Sequence, residues 1–150
     1  MNVLNASMSL LGRLLITYIF ATSGLAKIMD WSGNVQYMNT RHLPGVPALL
    51  AIALVIEVGG SICLVTGLYA RVAAFVMFLY LTMVTVLFHN YWAFSGGLAG
   101  AQETHFRKNL AIMGGLLVIA AQGPGRWSLG RAKTEPVNPK SQADLPGEDQ

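Results

Sequence analysis

The stretch AIALVIEVGGSICLVTG, residues 51–67, decides the fold. It is apolar enough for the middle of a membrane helix, yet Glu57 sits inside it. The apolar character runs from about residue 48 to residue 69, and a helix needs roughly 20 residues to cross a hydrocarbon core about 30 Å thick. A carboxylate there costs about 2.5–3.5 kcal/mol on insertion scales, so it must be protonated, paired or wetted. Glu57 falls nine or ten residues from the start of the segment, roughly 14 Å deep and close to the midplane.

Three more apolar segments flank this one, at about residues 10–29, 72–92 and 110–121. The last is short for a span. Extending it back over THFRKN, residues 104–109, gives it the length, with Asn109 inside and Arg107 and Lys108 left to snorkel or line a cavity. The first segment also has features of a signal peptide: Arg13, an apolar run, and the small-residue patch Ala21-Thr22-Ser23-Gly24. The run continues past that patch to Met29, so a span is the favoured reading. The expectation is an all-α, integral membrane four-helix bundle over residues 1–130, followed by a disordered cytoplasmic tail at 131–150 that is rich in proline and mixed charge. Residues 30–47 read as a polar loop, 67–71 as a tight turn and 93–104 as a flexible Gly-rich connection. GPGR at 123–126 reads as a helix stop.

The composition agrees. Of 150 residues, 53% are hydrophobic and 11% charged, where soluble domains carry about 25% charge; the mean hydropathy is +0.49. A net charge of +3 would suggest nucleic acid in a soluble chain. Here the basic residues flank apolar runs and set orientation, so the bilayer is the partner and nucleic acid is not expected. The turn side carries Arg13, Arg71, Arg126, Arg131, Lys133 and Lys140, against Lys27, Arg41, Arg107 and Lys108 on the other side. Six against four places both termini in the cytoplasm. Trp31, Trp92 and Trp127 fall at predicted interfaces. The single cysteine, Cys63, forms no internal disulfide and no CxxC pair. There is no nucleotide-binding loop, no nucleophile elbow and no structural zinc ligand set, and His89 with His105 is only a weak signal for bis-histidine haem.

The polar positions inside the spans carry any chemistry. Ser61 lies one turn beyond Glu57 on the same face. Ser23 and Lys27 are four apart in the first segment; Thr82, Thr85 and His89 share a face of the third; His105, Asn109 and Met113 share one of the fourth. With alternating helix direction these groups converge in the half away from the cytoplasm, which predicts one shared ligand pocket. Each has a plainer reading. Glu57 can be a paired structural residue, Lys27 can snorkel, His89 and His105 can be hydrated at an interface, and Asn109 can join helices. Gly59, Cys63 and Gly67 form a second, small-residue stripe expected to pack helix on helix.

Several of these stretches together resemble the DoxX family: RLLITYIFATSGLAKIMDW, GNVQYM, IEVGGSICLVTGLYAR, HNYW, FRKNLAIMGGLL and GPGRWSLGR. The resemblance is strongest to its four-span bacterial inner-membrane branch and covers residues 10–131. The elements match at Arg13, Phe20, Gly24 and Lys27; at Glu57, Gly60, Gly67 and Arg71; and at Lys108, Asn109, Gly114, Gly123, Pro124, Gly125, Ser128 and Leu129. The closing motif commonly ends Ser-Leu-Asp, where this chain has Gly130. The family includes a subunit of a thiosulfate:quinone oxidoreductase, members of oxidative-stress complexes and more distant assembly factors. The resemblance therefore implies a bacterial inner-membrane protein, makes a quinone a candidate ligand, and makes a redox protein or further copies of the chain candidate partners. Three functions stay open: a quinone-linked redox component, a non-catalytic binding, transport or assembly module, and a structural protein in which Glu57 only pairs with Lys27.

Overall fold

The computed structural model describes residues 3–129. The expected tail at 131–150, and Gly130 before it, lie outside the described residues. Four long helices form an antiparallel membrane bundle: α1 (Val3–Met29), α3 (Val46–Thr66), α4 (Ala70–Phe88) and α5 (Gly97–Gln122). A short α2 (Trp31–Asn39) follows α1, and one 3₁₀ turn (Tyr91–Ala93) precedes α5. There is no strand among the described residues.

α1, α3 and α4 are long and apolar enough to cross a membrane. α5 has 26 residues, roughly 39 Å at 1.5 Å each, but carries Glu103, His105, Arg107 and Lys108 in its first half. Arg107 is exposed and pairs with Glu103 at 2.6 Å, one turn away, so neither it nor the exposed Lys108 lines a cavity.

Three boundary expectations are corrected. Residues 30–47 are not all loop: Asp30 caps α2 by accepting from Gly33 N at 3.0 Å, and the Asn34 side chain donates to Asp30 O. Residues 93–104 are not all flexible connection, because α5 begins at Gly97. Glycine inside a helix costs only about 1 kcal/mol. α1 begins at Val3, well before the apolar run.

The turn after α3 is tight, as expected. Gly67 adopts φ 77°, and a Cβ there would lie 2.2 Å from Ser128 Cβ. Only glycine fits, because residues 123–129 fold back over this turn: Leu129 N donates to Thr66 O at 2.8 Å. The predicted stop holds too, with α5 ending at Gln122 and Gly123 at φ 83°.

Close packing falls partly elsewhere than expected. Gly59 has nothing within 4 Å of its Cβ position, so the Gly59–Cys63–Gly67 stripe does not pack helix on helix along its length; of its two glycines only Gly67 is closely approached, by Ser128 and the Arg13 side chain. The close approach is at the neighbouring Gly60, where Met77 Sδ lies 2.4 Å from an added Cβ, and at Gly24, where Val58 Cγ2 lies at 3.0 Å. Spacing alone could not say which glycine faces α4.

Arg13 also differs. Counted as a flanking charge, it is 1% exposed. Its Nη1 donates to Leu64 O at 2.8 Å and Val65 O at 3.1 Å, and Nη2 donates to Trp127 O. The last carbonyls of a helix lack intrahelical partners and carry the negative end of its dipole, which a guanidinium satisfies. The device recurs: Arg41 donates to Phe88 O at the end of α4, and Arg71 to Gln122 O at the end of α5.

Candidate functional site

The buried positions of α3 are Val46, Leu50, Ala53, Glu57, Ser61 and Leu64. They recur at helical spacing, so Glu57 is carried inward by the stripe that builds the core. It lies eleven residues from the start of α3, roughly 16 Å along the axis, and is 3% exposed.

Three donors converge on one of its oxygens. Lys27 Nζ donates to Oε1 at 3.0 Å, Ser23 Oγ at 3.2 Å and Tyr80 OH at 2.6 Å. Lys27 also donates to Ser23 Oγ at 2.7 Å, so the two α1 residues act as a unit one turn apart. Lys27 Nζ lies 2.9 Å from Oε2 as well, but Oε2 receives no directed hydrogen bond. The Lys27 side chain is 15% exposed and that of Glu57 is 4% exposed. Desolvating two charges is costly and is offset only by good pairing and further hydrogen bonds. Ser23 and Tyr80 supply those bonds.

Tyr80 was not among the sequence candidates. Geometry could have found it. The α3–α4 hairpin turns at residues 67–69. Glu57 precedes residue 68 by eleven positions and Tyr80 follows it by twelve, so both lie at one height. The Gly60–Met77 contact obeys the same relation.

The other candidates do not join this group, and the expected single pocket divides. Asn109 Nδ2 donates to Thr85 Oγ1 at 2.9 Å between α5 and α4, and Thr85 Oγ1 donates to Leu81 O. Nearer the end of the bundle, His89 Nδ1 bonds to Gln102 Oε1 at 2.8 Å. His105 stacks on His89, with ring centroids 4.9 Å apart and planes 14° off parallel. Face-stacked imidazoles do not aim their ring nitrogens at one ion, which argues against a bis-histidine haem. Gln102 was the second residue missed. Ser61 is buried, but its hydroxyl has no hydrogen-bond partner and is not tied to Glu57.

The division has a physical cause. Along antiparallel α4 and α5, Thr85 meets Asn109 and Thr82 Oγ1 meets Met113 Sδ. At the level of Tyr80, α5 therefore presents buried Met113 and Leu116. Its polar residues sit roughly 7 Å further along, about five residues. Glu57 draws its partners from α1 and α4 alone among the described residues.

A helical membrane bundle with a buried carboxylate held by lysine, serine and tyrosine is thus the class that fold and site define. Residues 8–90 match the DoxX family. The chain is 40% identical over 124 residues to inner membrane protein YphA of Escherichia coli (strain K12), covering 81% of this chain and 87% of that protein. It is 33% identical over 122 residues to inner membrane protein YqjF of the same organism, covering 81% and 88%. The chain belongs to the DoxX family. No solved structure matches it. Ser23, Lys27, Glu57 and Tyr80 all lie inside the matched segment, while Asn109 and His105 lie beyond it.

Proposed function

We propose that this is an inner-membrane protein that holds a small lipophilic, proton-exchanging ligand of quinone type at the Glu57 group, within a redox-associated membrane assembly. One observation carries the reading: Glu57 Oε1 takes three donors while Oε2 takes no directed bond. A carboxylate oxygen near mid-span with no directed bond can accept from a ligand hydroxyl that displaces its shielding, and Lys27 Nζ, with one proton beyond those it gives to Ser23 and Glu57, can donate to a ligand carbonyl, while the Tyr80 proton stays on Oε1. The donor set fits a quinone head in its chemistry. His89 drops out of the donor role, since it is engaged with Gln102 at the bundle end. Electrons would come from a partner protein.

The test is the quinone content of protein purified into lipid nanodiscs, measured after extraction. Near-stoichiometric quinone, reduced at least about tenfold in Glu57→Gln (the equivalent of 1.4 kcal/mol), supports the reading. Equal content in both proteins overturns it. A second reading, in which the group only joins three helices, is favoured by the saturation of Oε1, and the pair replacement described in the Discussion separates the two.

Placement of both termini in the cytoplasm is proposed on charge. Removing buried Arg13 from the turn side and paired Lys27 from the other leaves five against three, the same sign. A fluorescent-protein fusion to the C-terminus tests it; fluorescence supports the placement, and activity of a periplasmic reporter fused there refutes it.

A further inference from the structure

α2 lies across the mouth of the bundle. α1 and α4 stand on a diagonal and do not pack on one another, while α2 packs on α1 and α3. It leaves the end of α1 at Asp30 and reaches the end of α4, where Tyr37 stacks on Phe88 with ring centroids 5.6 Å apart. Its nine residues cover roughly 14 Å, the diagonal of a square of helices about 8–10 Å apart. The cover is effective. Val46 and Leu50 are buried although they lie in the first two turns of α3.

The attachment is light. α2 has no buried residue of its own. Its far end is held by Arg41, whose Nη2 donates to Phe88 O at 3.0 Å and whose guanidinium lies 5.7 Å from the Phe88 ring centre and 5.3 Å from that of Phe94. Arg41 Nε is buried without a partner. Arg13, at the other end of the bundle, gives three bonds to carbonyls where Arg41 gives one. His42, next to Arg41, is held at φ 52°, a left-handed backbone that side chains rarely adopt, so release of Arg41 also releases strain. The near end is Asp30, a single residue between two helices at φ −132° and ψ 67°. Few buried contacts and an element-terminal pivot are the properties of a segment that opens locally.

What lies beneath gives opening a consequence. Lys27 is three residues before Asp30, and its side chain is 15% exposed against 4% for Glu57. On the other side of Glu57, toward the chain termini, Leu64, Ala74, Met77 and Leu116 are all fully buried. The carboxylate is therefore approached from the Lys27 end. We propose that α2 is a hinged lid on the Glu57 group. Latched by Arg41 and Tyr37 on Phe88, it isolates the carboxylate; pivoting at Asp30, it admits water, protons and the ligand head from the end opposite the termini. The identity of what enters rests on the quinone-type reading above, whereas the opening itself does not.

The test uses the full chain in lipid nanodiscs, with Cys63→Ala to remove the native thiol. It follows the reaction of a charged, water-soluble methanethiosulfonate with one introduced thiol. Ala53→Cys reports beneath the lid, since Ala53 is buried on the inward stripe between Leu50 and Glu57. Ala74→Cys, buried in the half toward the termini, reports on the bundle itself. Arg41→Gln should speed the reaction at Ala53→Cys about tenfold, the low end of what a hydrogen bond from a charged group supplies, and leave that at Ala74→Cys unchanged. Tyr37→Ala should act in the same direction and decides the matter even where Arg41→Gln folds poorly. Arg41→Lys, which keeps the charge but not the fork, should restore part of the protection. Loading and release of quinone should both quicken in Arg41→Gln. Acceleration at Ala53→Cys in a protein that holds no quinone supports the lid and removes the ligand reading alone. Unchanged rates at Ala53→Cys in both Arg41→Gln and Tyr37→Ala overturn the lid, whatever the quinone content. Equal acceleration at Ala74→Cys also overturns it, because the whole bundle has then loosened.

Discussion

The two inward-facing cations of α1 keep opposite company. Arg13 gives its hydrogen bonds to backbone carbonyls, two at the end of α3 and one on the segment that folds back after α5. Lys27, fourteen residues on, gives its bonds to side chains, the Glu57 carboxylate and the Ser23 hydroxyl. Both lie on the inward stripe of the helix. A carbonyl cannot be titrated or exchanged for a ligand, so the Arg13 end of the bundle has one job, which is to hold α1, α3 and the terminal segment together. A carboxylate can lose a partner, gain a proton or accept from a guest. Burial of charge alone therefore does not mark a functional site; the nature of the partner does.

That contrast is open to direct attack, and the largest effect is expected at Lys27. Lys27→Met strands Glu57 and should cost about 3–5 kcal/mol, the usual penalty for breaking a buried pair from one side. Lys27→Met combined with Glu57→Leu should return close to wild-type stability, since well-packed apolar replacement of a buried pair is often neutral. Unfolding in detergent micelles, followed by helical circular dichroism, measures both. If the double variant folds and retains the protein's cellular function, the Glu57 group is a structural tie and the ligand reading fails. Arg13 should behave differently. Arg13→Met should cost about 2–3 kcal/mol through lost charge-assisted bonds, and no second substitution should recover it, because the carbonyls of Leu64, Val65 and Trp127 remain. Arg13→Lys should recover only part, lacking the fork that spans several acceptors. Full rescue of Arg13→Met by any change at another side chain would erase the distinction drawn between the two cations.

The same contrast explains what could be read in advance. Glu57 was visible as an inward residue because it interrupts an apolar run and continues the line of Leu50 and Ala53. Ser23 and Lys27 were visible as a pair through their spacing. Arg13 was misread as a flanking charge because its acceptors belong to α3 and to the segment after α5, at sequence separations of 51 to 114 that no local pattern encodes. α2 was missed because it is short and weakly amphipathic, although Asp30 is a recognisable cap. The single pocket failed on axial position, since spacing gives a residue's face but not its height against a neighbouring helix. Tyr80 shows the remedy: a tight hairpin fixes height by counting from the turn, and Glu57–Tyr80 follows from it. The α4–α5 connection is longer and includes a 3₁₀ turn, so the same count does not transfer to Asn109.

Tyr80 also gives the smallest of these effects and the most informative. Its hydroxyl donates to Glu57 Oε1 at 2.6 Å in a buried setting. Hydrogen bonds to a charged group are worth about 1.5–3 kcal/mol against about 1 for neutral pairs. Tyr80→Phe removes the hydroxyl and leaves the ring. A loss near 2 kcal/mol, falling to about 1 or less when Lys27→Met is already present, means that Tyr80 donates to a carboxylate kept ionised by Lys27. A loss near 1 kcal/mol that is the same in both backgrounds means that Glu57 is already neutral in the intact protein. In that case Lys27 is a hydrogen-bond donor rather than a counter-ion, and the contrast with Arg13 narrows to the choice of acceptor.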